Sequence, residues 1–517
     1  METNKTRKGF EEKIIGKMNE DKAFGKQIFE DPKTTIESEP GMVLYMKIKK
    51  FAGIALLIAG VAITLLGCRK STDIARYNPV TIQKMGNYYN VTLDYSNISH
   101  REMGRQFAIA IRQAMPDYEA TIDFLLAMHL VVLENSSNPL TFATVKERAK
   151  IIYENLNNDY KDEIAGMQDI FKYDEDKLVD GRLSKNEFLI YQLFSEIMRP
   201  SSCSASAATG NASATGNTIV GRNWDWLSMA RYGIAYLHSI TTYKNGGKTI
   251  TNIGPLGQLN GLTLFNQHKI FGAVINATTG TLYPSDLANR RSLFFDLRYA
   301  FENFSTLAQI SDFMKDPKNL YLYNHAILLA DPATAGVVEN QVNDIPGGAL
   351  GNRSFRTASS ALNPGLTPDQ TWGIPGIFAA VNDFRLPDND WDSLNFENTT
   401  RWTSFRDKYA DVPFGQRIDI ETLKSITGYS GPNSDGKMSQ GAIFTSEMQQ
   451  VWNQSDPLSA LEDGTGVKGI SAAYTTMQSV IMDMNTMELW IHFVPPTYFG
   501  EKPPLHPTYQ KIPNPIY

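Results

Sequence analysis

Residues 198–226 read MRPSSCSASAATGNASATGNTIVGRNWDW. Small residues dominate the centre of this stretch and can bury little apolar surface, yet it holds Cys203 and ends in the cluster Gly-Arg-Asn-Trp-Asp-Trp at 221–226. A lone cysteine is often an inert buried thiol with apolar neighbours. Cys203 instead follows Arg-Pro-Ser-Ser and lies between a helical and a strand-rich part of the sequence. This setting favours a nucleophile at a cleavage point over a structural cysteine.

The composition is that of a large folded chain. Of its 517 residues, 42% are apolar and 11% aromatic, which suffices for a large core and more than one folding unit. The formal net charge of -6 offers no general attraction for nucleic acid, so we expect no such partner. Two cysteines exclude a disulfide scaffold, and without a Cys/His cluster at ligand spacing they argue against structural zinc.

The other cysteine, Cys68, has a different setting. The sequence from Met46 reads MKIKKFAGIALLIAGVAITLLGCRKS, with a basic start, an apolar run and a small-residue cleavage shape before the cysteine. This pattern resembles a bacterial lipoprotein signal, which implies removal of residues 46–67 and lipidation of Cys68. The expected location is the bacterial cell envelope, with the chain anchored to the membrane by lipid. The alternative is an uncleaved transmembrane helix, for which the run is shorter than the ~20 residues usually needed.

The sequence predicts four segments. Residues 1–45 are polar and charged, and we interpret them as an untranslated or disordered extension, with translation starting at Met46 or Met42. The signal peptide spans 46–67, a helical N-terminal region 68–202, and a catalytic domain 203–517, which ends in an extended proline-rich tail. Short Val-, Ile- and aromatic-rich runs after 217 predict strands, with turns at residues 266–269 and 483–486, and the pattern over 292–316 predicts one or two helices. This order predicts an α+β fold with helices covering stacked antiparallel sheets.

Here the residues resemble a known superfamily. Cys203-Ser204-Ala205, followed by the cluster at 221–226, is similar to the start of the catalytic chain of cysteine N-terminal-nucleophile hydrolases. That group includes choloylglycine hydrolases, penicillin V acylases and the isopenicillin N acyltransferase family. The helical stretches SHREMGRQFAIAI and DYKDEIAGMQDIF before the cysteine favour the acyltransferase branch. The resemblance covers about residues 90–494 and implies an αββα sandwich preceded by a helical propeptide region.

The resemblance also implies the chemistry. Such an enzyme cuts its own backbone, here between Ser202 and Cys203, by an acyl shift from nitrogen to sulfur and release by water. The new α-amine of Cys203 then acts as the local base, with an ordinary pKa of about 7.7 to 8.0. No histidine, metal or cofactor is required, and the seven histidines show no Cys/His pairing pattern.

Two further site residues follow from the Arg-Asn-Trp-Asp cluster. Arg222 matches the arginine of the choloylglycine hydrolase motif, where a cation near sulfur favours the thiolate. In the acyltransferase that position is not an arginine. Asp225 matches the aspartate expected to hold the α-amine of the nucleophile. An ordinary surface ion pair between Arg222 and Asp225 is the alternative.

Three more candidates lie downstream. Asn276 in IFGAVINATT and Asn382 in IFAAVNDF match asparagines that end strands, although Val381 replaces the usual threonine. Both are candidate side-chain donors to an oxyanion, a contact of ~2.7 to 4 kcal/mol elsewhere. Arg401 in NTTRWTSFRD resembles the later arginine of the family, and Arg406 competes for that match. Taken singly, the asparagines read equally as turn residues and Arg401 as a solvated helix start.

The predicted function is hydrolysis of a linear amide C–N bond in a small N-acyl substrate, through a thioester on Cys203. Penicillins, conjugated bile acids, N-acyl amino acids and acylated lipids share that bond, so the resemblance predicts the bond and not the acyl group. The rivals are an acyl-coenzyme A-dependent N-acyltransferase of the same fold and a non-catalytic binding lipoprotein. Homo-oligomerisation stays open.

One loop partly matches a metal motif. The segment Asp176–Glu187, DKLVDGRLSKNE, has Asp180 and Gly181 at positions that suit a calcium loop. Leu178 stands where an oxygen ligand belongs. The loop is therefore interpreted as a plain connection between helices.

Overall fold

The computed structural model describes residues 78–134, 141–197, 202–227, 233–277, 287–342, 352–366, 372–387, 389, 396–429, 474–496 and 507–516. The predicted extension, the signal peptide and Cys68 lie outside the described residues. The described chain belongs to one folding unit, Asn78–Tyr517. No helix among the residues that were described is both long and apolar enough to cross a membrane.

The strands fall into two sheets. Those of the first sheet are β1 (Val80–Met85), β2 (Tyr88–Asp94), β5 (His238–Asn245), β6 (Lys248–Pro255), β7 (Thr263–Asn266), β8 (Phe271–Asn276), β9 (His325–Ala330), β10 (Ala335–Asn340) and β11 (Arg353–Arg356). Those of the second sheet are β3 (Ser202–Ala208), β4 (Ile219–Leu227), β12 (Ile377–Ala380), β13 (Tyr474–Asp483), β14 (Leu489–Phe493) and β15 (Gln510–Ile512).

The first sheet has nine strands in the order β1-β2-β5-β6-β7-β8-β9-β10-β11, and the second has six in the order β12-β3-β4-β13-β14-β15. All neighbouring strands are antiparallel except β2 and β5, which are parallel. Tight turns make the antiparallel order possible. At Gly246 and Gly247 between β5 and β6, φ is +54° and +87°, in the left-handed region that favours glycine.

The helices of the described chain divide between the N-terminal region and the covers of the two sheets. They are α1 (His100–Ala114), α2 (Tyr118–Glu134), α3 (Phe142–Glu154), α4 (Asn158–Gln168), α5 (Lys185–Gln192), α6 (Phe194–Ile197), α7 (Leu293–Asn303), α8 (Leu307–Lys315), α9 (Phe396–Ala410) and α10 (Ile420–Thr427). Local signals explain several boundaries. A capping box of Ser184 and Glu187 starts α5, and another of Thr306 and Gln309 starts α8.

The layers follow from which elements touch. Helices α1, α7 and α8 pack on the nine-stranded sheet, whereas α9 and α10 pack on the six-stranded sheet. The two sheets face each other, with β3 against β8 and β10 against β12. Apolar side chains such as Ala205, Val274 and Val480 belong to the large buried cluster. The predicted α+β class and αββα layering are therefore confirmed.

The N-terminal region departs from its predicted character at one point. The sequence pattern predicts helix from about residue 80, but Val80–Asp94 forms the hairpin β1–β2, which joins the nine-stranded sheet through β5. Residues Tyr89, Val91 and Leu93 alternate with more exposed positions, so the segment has the period of a strand. The helical prediction does match α1 to α6, which follow the hairpin.

Other local predictions match the structure. Residues Asn266–Lys269 turn the chain between β7 and β8, and Asp483–Thr486 turn it between β13 and β14. The pattern over 292–316 forms two helices, α7 and α8. The described part of the proline-rich tail is extended as predicted, and β15 within it pairs with β14 at the sheet edge.

Candidate active site

Cys203 lies at the start of β3, where it pairs in register with Trp224 of β4. Its side chain is 1% exposed. Because side chains alternate between the two faces of a strand, Cys203, Trp224 and Arg222 share one face, and Asp225 lies on the other. The chain can therefore bring one set of groups to the sulfur and another set to the backbone of the same residue.

Arg222 is the group at the sulfur. Its Nη2 lies 3.3 Å from Cys203 Sγ and also donates to the carbonyl of Val274, at 3.1 Å. Burial raises the pKa of the Cys203 thiol, while the guanidinium of Arg222 opposes that rise. Arg222 itself is fully buried, so it is not part of a surface ion pair. The diagonal cross-strand position explains why a long side chain two residues before Trp224 reaches the sulfur.

Asn382 is the group at the backbone nitrogen. The Cys203 N–H donates to Asn382 Oδ1 at 2.6 Å, and Arg401 Nη2 donates to the same oxygen at 2.8 Å. Because a guanidinium only donates, this contact assigns the oxygen of the amide to that side. The amide nitrogen of Asn382 then donates to the carbonyl of Asn276. In this structure, the side-chain amide of Asn382 thus bridges the backbone nitrogen of Cys203 and the end of β8.

Asp225 lies on the opposite face of β4 and is linked to the Cys203 backbone through Arg401. Arg401 Nη1 donates to the Cys203 carbonyl at 2.8 Å and to Asp225 Oδ2 at 3.3 Å, while Thr476 Oγ1 donates to Asp225 Oδ1 at 2.5 Å. The side chains of Asp225 and Arg401 are 0% and 1% exposed. Since a buried charge needs a partner, the two ions stabilise each other beside Cys203.

Asn276 comes from the other sheet. It ends β8, which packs against β3, and it is 4% exposed. The structure therefore brings together the six predicted residues, with Asn276 in contact through its backbone carbonyl: Cys203, Arg222, Asp225, Asn276, Asn382 and Arg401. Of Ser202, the backbone is described, and it pairs in register with Asp225.

Arg401 and Arg406 both matched the later arginine of the family, and the structure places them differently. Arg401 lies one helical turn into α9 and points at the site, whereas Arg406 pairs with its neighbour Asp407 at 3.2 Å, with both side chains partly exposed. In the structure, Arg401 therefore takes the place beside Cys203.

Two site residues were not predicted. Asn398 Oδ1 accepts a hydrogen bond from Arg401 Nη2, and its Nδ2 donates to the Asn382 carbonyl at 3.0 Å. It lies three residues before Arg401 on α9, so the helical spacing could have indicated a shared face. Thr476 lies in β13, 251 residues from Asp225, and no local pattern signals its contact.

The tryptophans beside the site are core residues in this structure. Trp224 and Trp226 are 1% and 0% exposed, with ring centroids 5.6 Å apart. Trp226 Nε1 donates to His129 Nε2 of α2 at 2.9 Å. Because Nε2 accepts, the proton of this neutral ring is on Nδ1, which lies 2.8 Å from the Leu125 carbonyl. Helix α2 of the N-terminal region thus contacts the end of β4 in the six-stranded sheet.

The loop Asp176–Glu187 connects α4 to α5. The Asp176 carboxylate accepts hydrogen bonds from Ser184, Asn186 and Lys146, and Glu187 takes part in the capping box of α5. Within the ranges described here, no group of three or more His, Cys, Asp or Glu residues is placed to hold a metal ion. The geometry is that of a connecting loop.

No protein-family model and no curated protein sequence matches the chain. Among solved structures, an N-acylethanolamine-hydrolyzing acid amidase ortholog from Caenorhabditis elegans aligns with 12% identity and a TM-score of 0.33, over 60% of this chain and 100% of that one. A mutant of conjugated bile acid hydrolase from Clostridium perfringens aligns with 12% identity and a TM-score of 0.32, over 61% and 97%.

A third solved structure is penicillin V acylase from Agrobacterium tumefaciens, with 9% identity and a TM-score of 0.27, over 56% of this chain and 83% of that one. The fold itself rests on the sheet order and packing of this chain. The chain thus has the α+β, αββα fold that its resemblance to the N-terminal-nucleophile hydrolases predicted.

Proposed function

We propose that this chain is a self-processing cysteine amidase that hydrolyses linear amide C–N bonds of small N-acyl substrates. One observation carries the proposal: the sulfur of Cys203 and the backbone nitrogen of Cys203 are held by separate groups. Arg222 contacts the sulfur, and Asn382 contacts the nitrogen. A structural cysteine needs neither contact, whereas a nucleophile whose own amine becomes the base needs both.

The first proposed step is self-cleavage. The thiolate of Cys203 attacks the carbonyl carbon of Ser202, and the C–N bond between the two residues breaks as a thioester forms. The freed nitrogen takes up a proton and becomes the α-amine of Cys203. Water then hydrolyses the thioester, which leaves a carboxylate on Ser202 and restores the thiol.

The second proposed step uses the new amine. It removes the proton from the thiol as Cys203 attacks the substrate amide, and it returns a proton to the leaving amine. Asn382 Oδ1, which accepts from the Cys203 nitrogen in the uncut chain, would hold this amine, with the Asp225 carboxylate balancing the charge of Arg401. Water then cleaves the acyl thioester and releases the carboxylic acid.

Stabilisation of the oxyanion is assigned to the Asn276 side chain. The Asn382 amide nitrogen already donates to the Asn276 carbonyl, so it is less suited to that role than the sequence indicated. A positioned amide donor contributes about 2.7 to 4 kcal/mol to such a transition state.

The test is the intact mass and N-terminal sequence of the purified full chain, beside Cys203→Ala. We expect the wild type to yield a fragment beginning Cys203-Ser204-Ala205 and the variant to stay uncut. Arg406→Ala serves as the matched control, because it changes an arginine of the same helix away from the site, and it should be cut like the wild type. An uncut wild type would favour the binding-protein alternative.

The molecule that accepts the acyl group, water or an amine, distinguishes hydrolysis from transfer. A panel of N-acyl amides is incubated with the cut protein in water alone, and the free acid is quantified by mass spectrometry. Release of acid with an acyl adduct on the Cys203 fragment supports the hydrolase. Acylated product formed only with an added amine and acyl-coenzyme A would support the N-acyltransferase.

The location of the chain is a separate proposal. The pattern ending at Cys68 supports a lipid-anchored protein of the bacterial cell envelope. Full-length protein should fractionate with membranes and lose that property in Cys68→Ser. An unchanged distribution of the variant would contradict the anchor and leave the amidase proposal untouched.

A further inference from the structure

A buried ion pair that takes no part in the proposed reaction contacts the chain on both sides of Asn382. Glu339 of β10 pairs with Arg356 of β11, with 2.6 Å between Glu339 Oε1 and Arg356 Nε. Their side chains are 0% and 3% exposed. Both strands belong to the nine-stranded sheet, whereas Asn382 follows β12 of the six-stranded sheet. The pair therefore lies where the two sheets meet, beside the segment from Ala379 to Leu386 that contains Asn382.

The second oxygen of Glu339 is the part that reaches this segment. Glu339 Oε2 accepts hydrogen bonds from the backbone N–H groups of Arg385 and Leu386, both at 3.0 Å, and from Asn389 Nδ2 at 3.3 Å. One carboxylate thus holds three donors of the chain just after Asn382. Hydrogen bonds to a charged acceptor are about twice as strong as those between neutral groups.

Arg356 holds the other end of the segment. Its Nη2 donates to the carbonyl of Ala379 in β12 at 3.0 Å, and its guanidinium lies over the rings of Phe378 and Trp402, at 5.2 and 5.7 Å from their centroids. The chain from Ala379 to Leu386 is accordingly fixed at both ends by the two members of one ion pair. Asn382 lies between the two fixed points.

The turn itself leaves little freedom to Asn382. The Asp383 N–H donates to the Val381 carbonyl at 2.7 Å, so the backbone folds tightly around residue 382. From this turn, the side chain of Asn382 reaches the Cys203 nitrogen and Arg401. A displacement of the turn would move the amide oxygen away from the nitrogen that it holds.

We infer that Glu339 is a positioning residue for the reaction at Cys203, acting through the Asn382 turn that it and Arg356 clamp. The inference rests on the proposed function. A buried ion pair contributes little net stability relative to apolar residues of the same size, so its contacts with the chain on both sides of Asn382 fit a role in geometry. Misplacement of a reacting group by about 1 Å can cost about 100-fold in rate.

The test compares two buried Glu-to-Gln changes in the full chain. Glu339→Gln removes the charge behind Asn382. Glu163→Gln is the matched control: Glu163 is also 0% exposed and pairs with a fully buried arginine, Arg298, at 2.6 Å, but its hydrogen-bond partners His100 and Arg298 lie on α1 and α7. Self-cleavage rate, kcat, KM and Tm are measured for both.

We expect both variants to lower Tm, but only Glu339→Gln to lower the self-cleavage rate and kcat, by at least about 10-fold, with KM within about twofold of the wild type. In an Asn382→Ala background, Glu339→Gln should have little further effect on kcat, because interacting residues are not additive. If Glu339→Gln is insoluble, Arg356→Lys keeps the charge but shortens the reach to Ala379, and the same loss of kcat is expected.

Two outcomes would overturn the inference. One is a kcat of Glu339→Gln that equals that of Glu163→Gln. The other is a loss that persists undiminished when Asn382 is alanine, which would assign Glu339 a merely structural role. A wild type that neither cuts itself nor releases acid would remove the proposed function and this inference together, whereas an active wild type with either outcome removes the inference alone.

Discussion

The guanidinium of Arg222 lies 3.3 Å from the sulfur of Cys203, and both groups are buried. Burial alone raises the pKa of the thiol, since the thiolate is the charged form, and Arg222 works against that rise. The pKa of the Cys203 thiol is therefore set mainly by two opposed effects of the same interior. The positive charge of Arg222 favours the thiolate, although burial still raises the pKa of the thiol overall.

Replacement of Arg222 by methionine should shift the pH dependence of Cys203 alkylation upward. The side chain keeps its volume but loses the cation, so the thiol pKa rises further. A hydrogen bond to a charged group contributes roughly 1.5 to 3 kcal/mol, which predicts a rate of alkylation at pH 7 lower by about 10- to 100-fold. Iodoacetamide kinetics followed by mass spectrometry provide the measurement. Arg222→Lys should give an intermediate curve, and identical curves for all three proteins would contradict the assignment.

The two arginines of α9 should behave differently. Arg401→Ala leaves Asp225 buried without its ion partner, and breaking such a pair costs roughly 3 to 5 kcal/mol of unfolding free energy. Self-cleavage should also be lost, because the Cys203 carbonyl loses its donor. Arg406→Ala removes a partly exposed pair and should cost at most about 1 kcal/mol. Urea unfolding and the cleavage assay test both, and an equal response of the two variants would contradict the placement.

Helices α1 and α4 cross at two glycines, and we expect that neither glycine can be replaced by a larger residue without loss of stability. A Cβ on Gly104 would lie 2.0 Å from the Glu163 carbonyl oxygen, and one on Gly166 would lie 2.0 Å from that of Arg101. Because both neighbours are backbone atoms, the helices must separate, so Gly104→Ala and Gly166→Ala should each cost about 1 to 3 kcal/mol or more. Thermal unfolding measures the loss. The control Ala110→Gly, on the same helix, should cost only about 1 kcal/mol.

The buried histidine beside Trp226 predicts acid sensitivity. Burial lowers the pKa of His129 from 6.5 to about 4, so between these values the unfolded chain binds a proton that the folded chain does not. The stability from this group is complete above pH 6.5 and is lost as the pH falls towards 4, by up to about 1.4 kcal/mol per pH unit. In His129→Gln, the unfolding free energy should fall less steeply over this range.

The control for His129 is His268, in the turn between β7 and β8. Denaturation curves at about pH 4.5, 5.5, 6.5 and 7.5, which bracket the unfolded-state pKa of histidine, are compared for the wild type and the two variants. A slope of His129→Gln that matches the wild type, with His268→Gln also unchanged, would show that other groups carry the acid response. His238 is one such group, since burial lowers its pKa to about 3.

Much of the fold could be predicted because its signals are local. The period of apolar residues indicated the helical region that holds α1 to α6 and one or two helices over 292–316, and turn residues placed the hairpins β7–β8 and β13–β14. The hairpin β1–β2 was missed. Its alternating burial and the turn at Gly86 were local signals, and only its parallel pairing with β5, which begins at His238, had none.

The site also has a part that could be predicted from local patterns and a part that could not. Cys203, Arg222 and Asp225 lie within two paired strands, so alternation along β4 is enough to put Arg222 on the face of the sulfur and Asp225 on the opposite face. The sequence by itself determined this core, together with the fold class. Only the tertiary structure decided that Arg401 and not Arg406 meets Asp225, that Asn382 holds the nucleophile's nitrogen, and that Glu339 lies behind it. The reason is that a buried charge or amide takes its partner from whichever strand or helix packs against it, and that neighbour is set by long-range packing of the two sheets and not by spacing along the chain.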